Sequence, residues 1–168
     1  MIEKNSPVTS SGGSRQQWEE LNSLITSKRL HDVIIALNSN ARDVDVNFRD
    51  AACGLQTIPM RLCHIEVSNL EAKAQVFSKL LEKNCDFCTT DGGERTLLHH
   101  VIISQCCHLL AILKQQWNAV SMLNLCDVDG NSPLHACVAT AHEETTREFL
   151  ETFEDSKIEF QLRNKQGE

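Results

Sequence analysis

Three clusters of side chains in this chain are of types that could do chemistry. Cys85-Asp86-Phe87-Cys88 is a CxxC, and His99-His100 follow soon after. Four such ligands could hold zinc, but one CxxC without a matching second pair is a weak signal. Cys85 has a simpler place in the small-residue slot that follows a helix. A thioredoxin-type dithiol should open a helix beside a βαβ pattern, which is missing here. Cys106-Cys107-His108 has the types of a thiol nucleophile and its base. Adjacent residues on a helix point about 100° apart, so Cys107 and His108 do not face each other. Glu143, Glu144, Glu148, Glu151, Glu154 and Asp155 lie on or near one helix and include conceivable carboxylate pairs. A solvated helix face is the commoner use of such a run, and Glu143 and Glu144 suit a helix N-terminus. There is no P-loop, G-x-S-x-G or H-E-x-x-H. The expectation is a chain with no catalytic residues, no metal and no cofactor.

The elements that position these residues are helical. Trp18, Leu21, Leu24 and Ile25 form one apolar stripe, and Leu30, Val33, Ile34 and Leu37 form a second. A polar stretch from Asn38 to Asp45 closes this first unit. The unit recurs. Ile58-Pro59-Met60-Arg61-Leu62-Cys63 opens the second and Val76 to Leu81 closes it. Thr96-Leu97-Leu98-His99-His100-Val101 opens the third and Leu109 to Leu113 closes it. Ser132-Pro133-Leu134-His135-Ala136-Cys137 opens the fourth and Phe149-Leu150 closes it. Aligned on Pro59, Leu97 and Pro133, the openings are spaced by 38 and 36 residues. A period in the thirties with two helices per unit is the mark of a solenoid, and the expected class is all-α with short hairpin loops. Residues 1–16, rich in Ser, Gly, Asn and Thr, read as a disordered tail.

The 168 residues carry a net charge of −7, and no basic run gives a footprint for direct nucleic-acid binding. No apolar stretch approaches the ~20 residues of a membrane span, and residues 1–17 lack the apolar centre of a secretory signal. Eight irregularly spaced cysteines without an export signal read as reduced thiols, several of them core residues. The expected compartment is cytoplasmic, with nuclear residence as an extension.

Asp127-Val128-Asp129-Gly130-Asn131-Ser132-Pro133-Leu134-His135-Ala136-Cys137 resembles the ankyrin-repeat pattern D-x-x-G-x-T-P-L-H-x-A. Gly130 supplies the positive φ of a tight turn, Ser132 an N-cap, and Pro133 a first helical residue with no N–H to leave unbonded. Leu134 faces the core. In the family, the histidine at the position of His135 bonds within the loop and towards the adjacent repeat. Thr96, Leu98 and His99 match the same slots in the third unit, where Glu94 replaces the turn glycine. Gly92 and Gly93 lie just before it, so a shifted turn is one outcome there. Pro59 and Cys63 match in the second unit, with Arg61 read as the replacement for the histidine and a long finger from Arg49 to Thr57. The resemblance implies an ankyrin solenoid of paired antiparallel helices, with repeats near 17–49, 50–88, 89–126 and 127–163. A fifth repeat starts near 164, since Asn164-Lys165-Gln166-Gly167-Glu168 repeats the finger, and the expectation is a fragment of a longer chain.

Within that family, Asp91 to Val138 is similar to the early repeats of IκB proteins and the inhibitory ankyrin half of NF-κB precursors of the Relish type. The shared features are an opening without Pro, a long second helix, and an insertion, Met122-Leu123-Asn124-Leu125, before the next finger. The phosphodegron of those inhibitors is absent, and no Rel-homology segment is present. The likeness implies a monomeric, non-enzymatic protein that binds a Rel-homology dimer and masks its nuclear localisation signal; a general ankyrin adaptor with an unrelated partner is the alternative. The candidate partner contacts are the finger tips: Arg49, Asp50, Asp91, Glu94, Arg95, Asp127, Asp129 and Asn131. Their mainly acidic character suits a basic partner segment. Trp18 is expected in the core, and Trp117, in a loop after a helix, is a candidate hot spot.

Overall fold

The computed structural model describes residues 12–39, 44–116 and 119–168. The expectation for Trp117 lies outside the described residues, as does most of that for the N-terminal tail. Among the described residues eight α-helices follow in chain order: α1 (Gly12–Thr26), α2 (Leu30–Asn38), α3 (Ile58–Cys63), α4 (Leu70–Leu81), α5 (Leu97–Ile103), α6 (Leu110–Lys114), α7 (Pro133–Thr140) and α8 (Glu143–Thr152). Among the described residues the only extended pairing is an isolated bridge between Asp50 and Gln56. The all-α expectation therefore holds. Residues 12–16, read as part of a disordered tail, belong instead to the first turns of α1.

The helices form two rows. In one row α1 packs on α3, α3 on α5 and α5 on α7. In the other, α2 packs on α4, α4 on the 3-10 turn Cys107–Leu109 that leads into α6, and α6 on α8. Partners within a unit also touch: α1 with α2, α3 with α4 and α7 with α8. The apolar stripes face the seam between the rows. Trp18, Leu21 and Ile25 of α1 are buried, with Leu30, Val33 and Leu37 of α2. Phe77, Leu98, Ile102, Leu109 and Phe149 continue the seam along the array. Trp18 is a core residue, its ring centroid 6.3 Å from that of Phe48. The length of α6, five residues, departs from the long second helix expected for the third unit. Cys107–Leu109 and Ala119–Met122 take up the adjoining chain as 3-10 turns, and Met122 and Leu123 of the insertion are buried.

The N-cap positions mark the register of the first helices from the second unit onward. Thr57, Thr96 and Ser132 are the N-cap residues of α3, α5 and α7. Counted on the caps, the spacings are 39 and 36, so the alignment on Pro59 is out by one residue. Met60, not Arg61, occupies the histidine slot, and it is buried. Arg61 reaches backwards instead, with Nε 3.2 Å from Oδ1 of Asn22. The extra length of the second finger forms a 3-10 turn, Ala51–Cys53, closed by Gly54 and Leu55 at positive φ.

The turn of the third finger has not shifted onto its glycines. Glu94 itself adopts φ 60°, in the place where Gly130 has φ 81° and Gly167 φ 85°. A side chain in that region costs roughly 1–2 kcal/mol. Glycine loses more chain entropy on folding, which offsets part of the relief. Glu94→Gly should therefore raise stability by about 0.5–1 kcal/mol in urea unfolding. Gly130→Ala should lower it by about 2 kcal/mol or more, because a Cβ there would also sit 3.2 Å from the backbone of Asn164 and Lys165.

Candidate functional site

The four finger turns share one construction. In the third, Oδ1 of Asp91 accepts the N–H groups of Gly93 and Arg95 at 2.8 and 2.9 Å. Asp127 receives Asp129 and Asn131 at 3.0 and 2.8 Å, and Asn164 receives Gln166 and Glu168 at 3.1 and 3.0 Å. Asp50 bonds Ala52 N–H in the longer second finger. A short side-chain acceptor two residues before a turn closes it in this way. The expectation that Asp50, Asp91 and Asp127 project as partner contacts is thus corrected. All three are buried, with their carboxylates directed at their own turns. Burial pushes the Asp127 carboxyl up, but the Asn131 and Asp129 donors outweigh this and hold it below the usual range.

Neighbouring fingers are tied by single backbone rungs. Gly92 N–H donates to Gly54 O at 2.8 Å, Val128 N–H to Gly93 O at 2.9 Å, and Lys165 N–H to Asp129 O at 2.9 Å. The motif histidines add a second tie. Nδ1 of His99 accepts Thr96 N–H at 3.2 Å, which leaves the proton on Nε2 to be donated to Asn131 O at 3.0 Å. His135 repeats the arrangement, with Nδ1 taking Ser132 N–H and Nε2 3.1 Å from Glu168 O. Both histidines thus bond within their own loop and to the next finger.

At the tips, Arg49, Glu94 and Asp129 are exposed, while Arg95 and Asn131 are half-buried. Arg95 lies 3.5 Å from Asp127, the next unit's buried carboxylate. The mainly acidic character expected of the tips is therefore much reduced.

Below the fingers lies a polar network whose members sequence reasoning did not join. Ser104 Oγ is 2.9 Å from His64 Nδ1, His64 Nε2 is 2.7 Å from His100 Nδ1, and His100 Nε2 is 3.1 Å from Asp91 Oδ2. The last contact is close but badly aligned for a hydrogen bond. The order is that of a nucleophile, a base and an orienting carboxylate. However, the N–H groups of Gln105 and Cys106, next to Ser104, are already bonded to Ile102 O and Val101 O. They are not free to hold an oxyanion. The network serves to lock α3 against α5. Beside it, the buried Lys73 donates to Cys63 O and Ile65 O, both at 2.9 Å, and approaches Cys106 Sγ at 3.2 Å. A lysine three residues after Leu70 and three before Val76, within an otherwise apolar stripe, was the available signal for it.

The clusters with chemical potential in sequence do not assemble. All eight cysteines are unpaired. Burial pushes the Cys85 thiol up to about 12, against the thiolate that metal or redox work requires. Cys88 is exposed, and its sulfur contacts Ser121 Oγ at 3.6 Å. The ring nitrogens of His99 and Nδ1 of His100 face protein partners. Among the described residues no group of three or more His, Cys, Asp and Glu is placed to hold a metal ion. Burial raises Cys107 and lowers His108. Glu143 and Glu144 stand in the first turn of α8, and Glu151, Glu154 and Asp155 are likewise exposed. No helix among the described residues is long and apolar enough to cross a membrane. Comparison of the chain with protein-family models finds no match, and comparison with curated proteins finds none either.

Two predictions follow from the buried polar groups. Burial lowers the proton affinity of His64, His99, His100 and His108 in the folded state. The unfolded chain takes up those protons near pH 6.5, whereas His100 does so only at about 4. Stability should be complete above pH 6.5 and decline as pH falls from there towards 4. Equal urea midpoints at pH 7.5 and pH 5 would contradict this. Lys73→Met removes the ammonium from Ile65 O and leaves Cys63 O with only the weak Cys106 Sγ donor, and should cost about 2–4 kcal/mol by the same measurement.

Proposed function

We propose that the chain is an ankyrin-repeat array, a non-catalytic protein-binding module. The observation that carries this reading is the ladder of one backbone rung per finger at Gly92, Val128 and Lys165, repeated in step with the paired helices. Stacked units of this kind form an extended rigid surface suited to partner binding. The Thr96–His99 and Ser132–His135 loops, each tied forward to the next finger, are in keeping with the motif resemblance.

Within this reading the partner is a Rel-homology dimer, bound by an IκB-like monomer that masks its nuclear localisation signal in the cytoplasm, with nuclear residence as an extension. The finger contribution falls to the exposed side chains Glu94, Asp129 and Arg49, the last also reaching Leu55 O with its Nε at 3.4 Å, with Arg95 and Asn131 at the margin. One observation favours the alternative of a general adaptor with an unrelated partner. The long second helix that was part of the IκB likeness is absent, since α6 spans five residues.

A pull-down from native lysate, read by mass spectrometry, tests both. The expected result is recovery of a Rel-homology protein, weakened about tenfold by the joint reversal Glu94→Lys and Asp129→Lys. These two exposed positions can be reversed without disturbing the turns, whereas reversal at Asp91 or Asp127 would unfold them. Recovery of unrelated proteins alone would leave the adaptor.

A further inference from the structure

Beside the histidine network, an amine of the second unit and a thiol of the third meet at one backbone carbonyl. Lys73 of α4 donates from Nζ to Cys63 O at 2.9 Å. Cys106, the residue before the 3-10 turn Cys107–Leu109, places its Sγ 3.3 Å from the same oxygen. The shared carbonyl holds Nζ and Sγ 3.2 Å apart. A second carbonyl, Ile65 O, takes another Nζ hydrogen at 2.9 Å. An ammonium has three hydrogens, so the third lies toward Cys106 Sγ. Once that proton leaves, the two carbonyl bonds keep the nitrogen in place and its lone pair is aimed at the sulfur. The thiol of Cys63 itself is turned back along α3, onto Pro59 O at 3.3 Å.

Cys106 and Lys73 are 5 % and 3 % exposed, yet both line an open groove of about 510 Å³, together with His64, Ser104 and Glu144. The opening admits a reagent the size of hydrogen peroxide. Reactive thiols sit beside cations in settings of this kind. The other buried thiols are less suited. Burial pushes Cys85 and Cys137 up to about 12. Burial and then neighbouring carboxylates raise Cys107 and Cys126. Cys106, by contrast, has an amine against its sulfur.

We propose that Cys106 is an oxidation site for hydrogen peroxide and that Lys73 captures the oxidised sulfur as a nitrogen–sulfur bridge. In the first step the Cys106 sulfur attacks one peroxide oxygen. The O–O bond breaks, an S–O bond forms, and the thiol proton leaves with the second oxygen as water. Sulfur gives up two electrons and the peroxide takes them. In the second step the Lys73 nitrogen attacks the sulfenic sulfur, and an N–S bond replaces the S–O bond. The ammonium gives up two protons. One leaves with the hydroxyl as water, and the other passes to solvent through the groove. The product joins α4 to the loop after α5, across 33 residues of chain, and removes a positive charge from the groove. Lys73 thus takes the part that a resolving cysteine plays in a dithiol switch. The site does not depend on which partner the array binds.

The test uses the whole chain, fully reduced and then treated with a small molar excess of hydrogen peroxide. The intact mass should fall by about 2 Da, the two hydrogens lost. One thiol of the eight should become unreactive to iodoacetamide in denaturant. Digestion should yield a linked peptide pair carrying Lys73 and Cys106, and dithiothreitol should restore both mass and thiol. Cys63→Ala should form the bridge as the wild type does. Lys73→Arg keeps a cation with donors for the two carbonyls but has no nucleophilic amine. It should lose the linked pair and yield instead a Cys106 sulfenic acid that dimedone traps. Loss of two thiols together, with Cys106 joined to Cys63 or Cys107, would overturn the proposal. So would a Cys106 sulfenic acid trapped equally in the wild type and in Lys73→Arg, or oxidation confined to the exposed Cys88 and Cys126 with Cys106 left reduced. Should Lys73→Arg lack the native thermal transition, the thiol count and the linked pair in the wild-type chain decide by themselves.

Discussion

One buried acceptor per finger holds this array in register. A side-chain oxygen of Asp91, Asp127 or Asn164 collects two backbone N–H groups of its own turn, and the turn so closed presents a carbonyl and an N–H to its neighbours. The rungs through Gly54, Gly93 and Asp129 depend on that geometry, as do the histidine bonds to Asn131 O and Glu168 O. The helices then have little freedom in how they stack. Because backbone polar groups buried without partners are costly, a stack of helix pairs needs such a solution at each step.

The same economy moves charge away from where the sequence places it. Acidic residues at finger positions suggest an acidic contact surface, but a carboxylate that accepts two turn N–H groups is directed inward and is unavailable to a partner. What remains outward at the tips is mixed in sign. Outward carboxylates also stand at the far end, where Glu143, Glu151 and Glu159 lie near the exposed Val138 and Phe160.

Polar side chains between the helices play a comparable locking part. The Ser104–His64–His100 chain and Lys73 with its two carbonyls connect elements that apolar packing alone would leave free to slide. Their cost appears as sensitivity to acid, since an imidazole held neutral by burial opposes folding once the unfolded chain can be protonated. A row of histidines with catalytic-looking order is here a device for packing, because the neighbouring N–H groups are already used.

The helical class, the two-helix unit, the core role of Trp18 and the special nature of Ser132-Pro133-Leu134-His135 were determined by sequence alone. Each rests on a local rule: a 3.6-residue stripe, a cap, a φ that only certain residues adopt comfortably. The positive φ at Glu94 and the cap register that puts Met60 in the histidine slot were settled only by tertiary structure. So were the shortness of α6 and the inward turn of Asp50, Asp91 and Asp127. In each case a neighbouring finger or helix outweighed the local preference. A rung to Gly54 and another to Val128 hold the third turn in place despite its glutamate, and packing against α4 and α8 sets where the third unit's chain is α-helical and where it is 3-10. The clustering of Ser104, His64 and His100 likewise joins residues about 40 apart in sequence, a distance that only stacking of successive units can close.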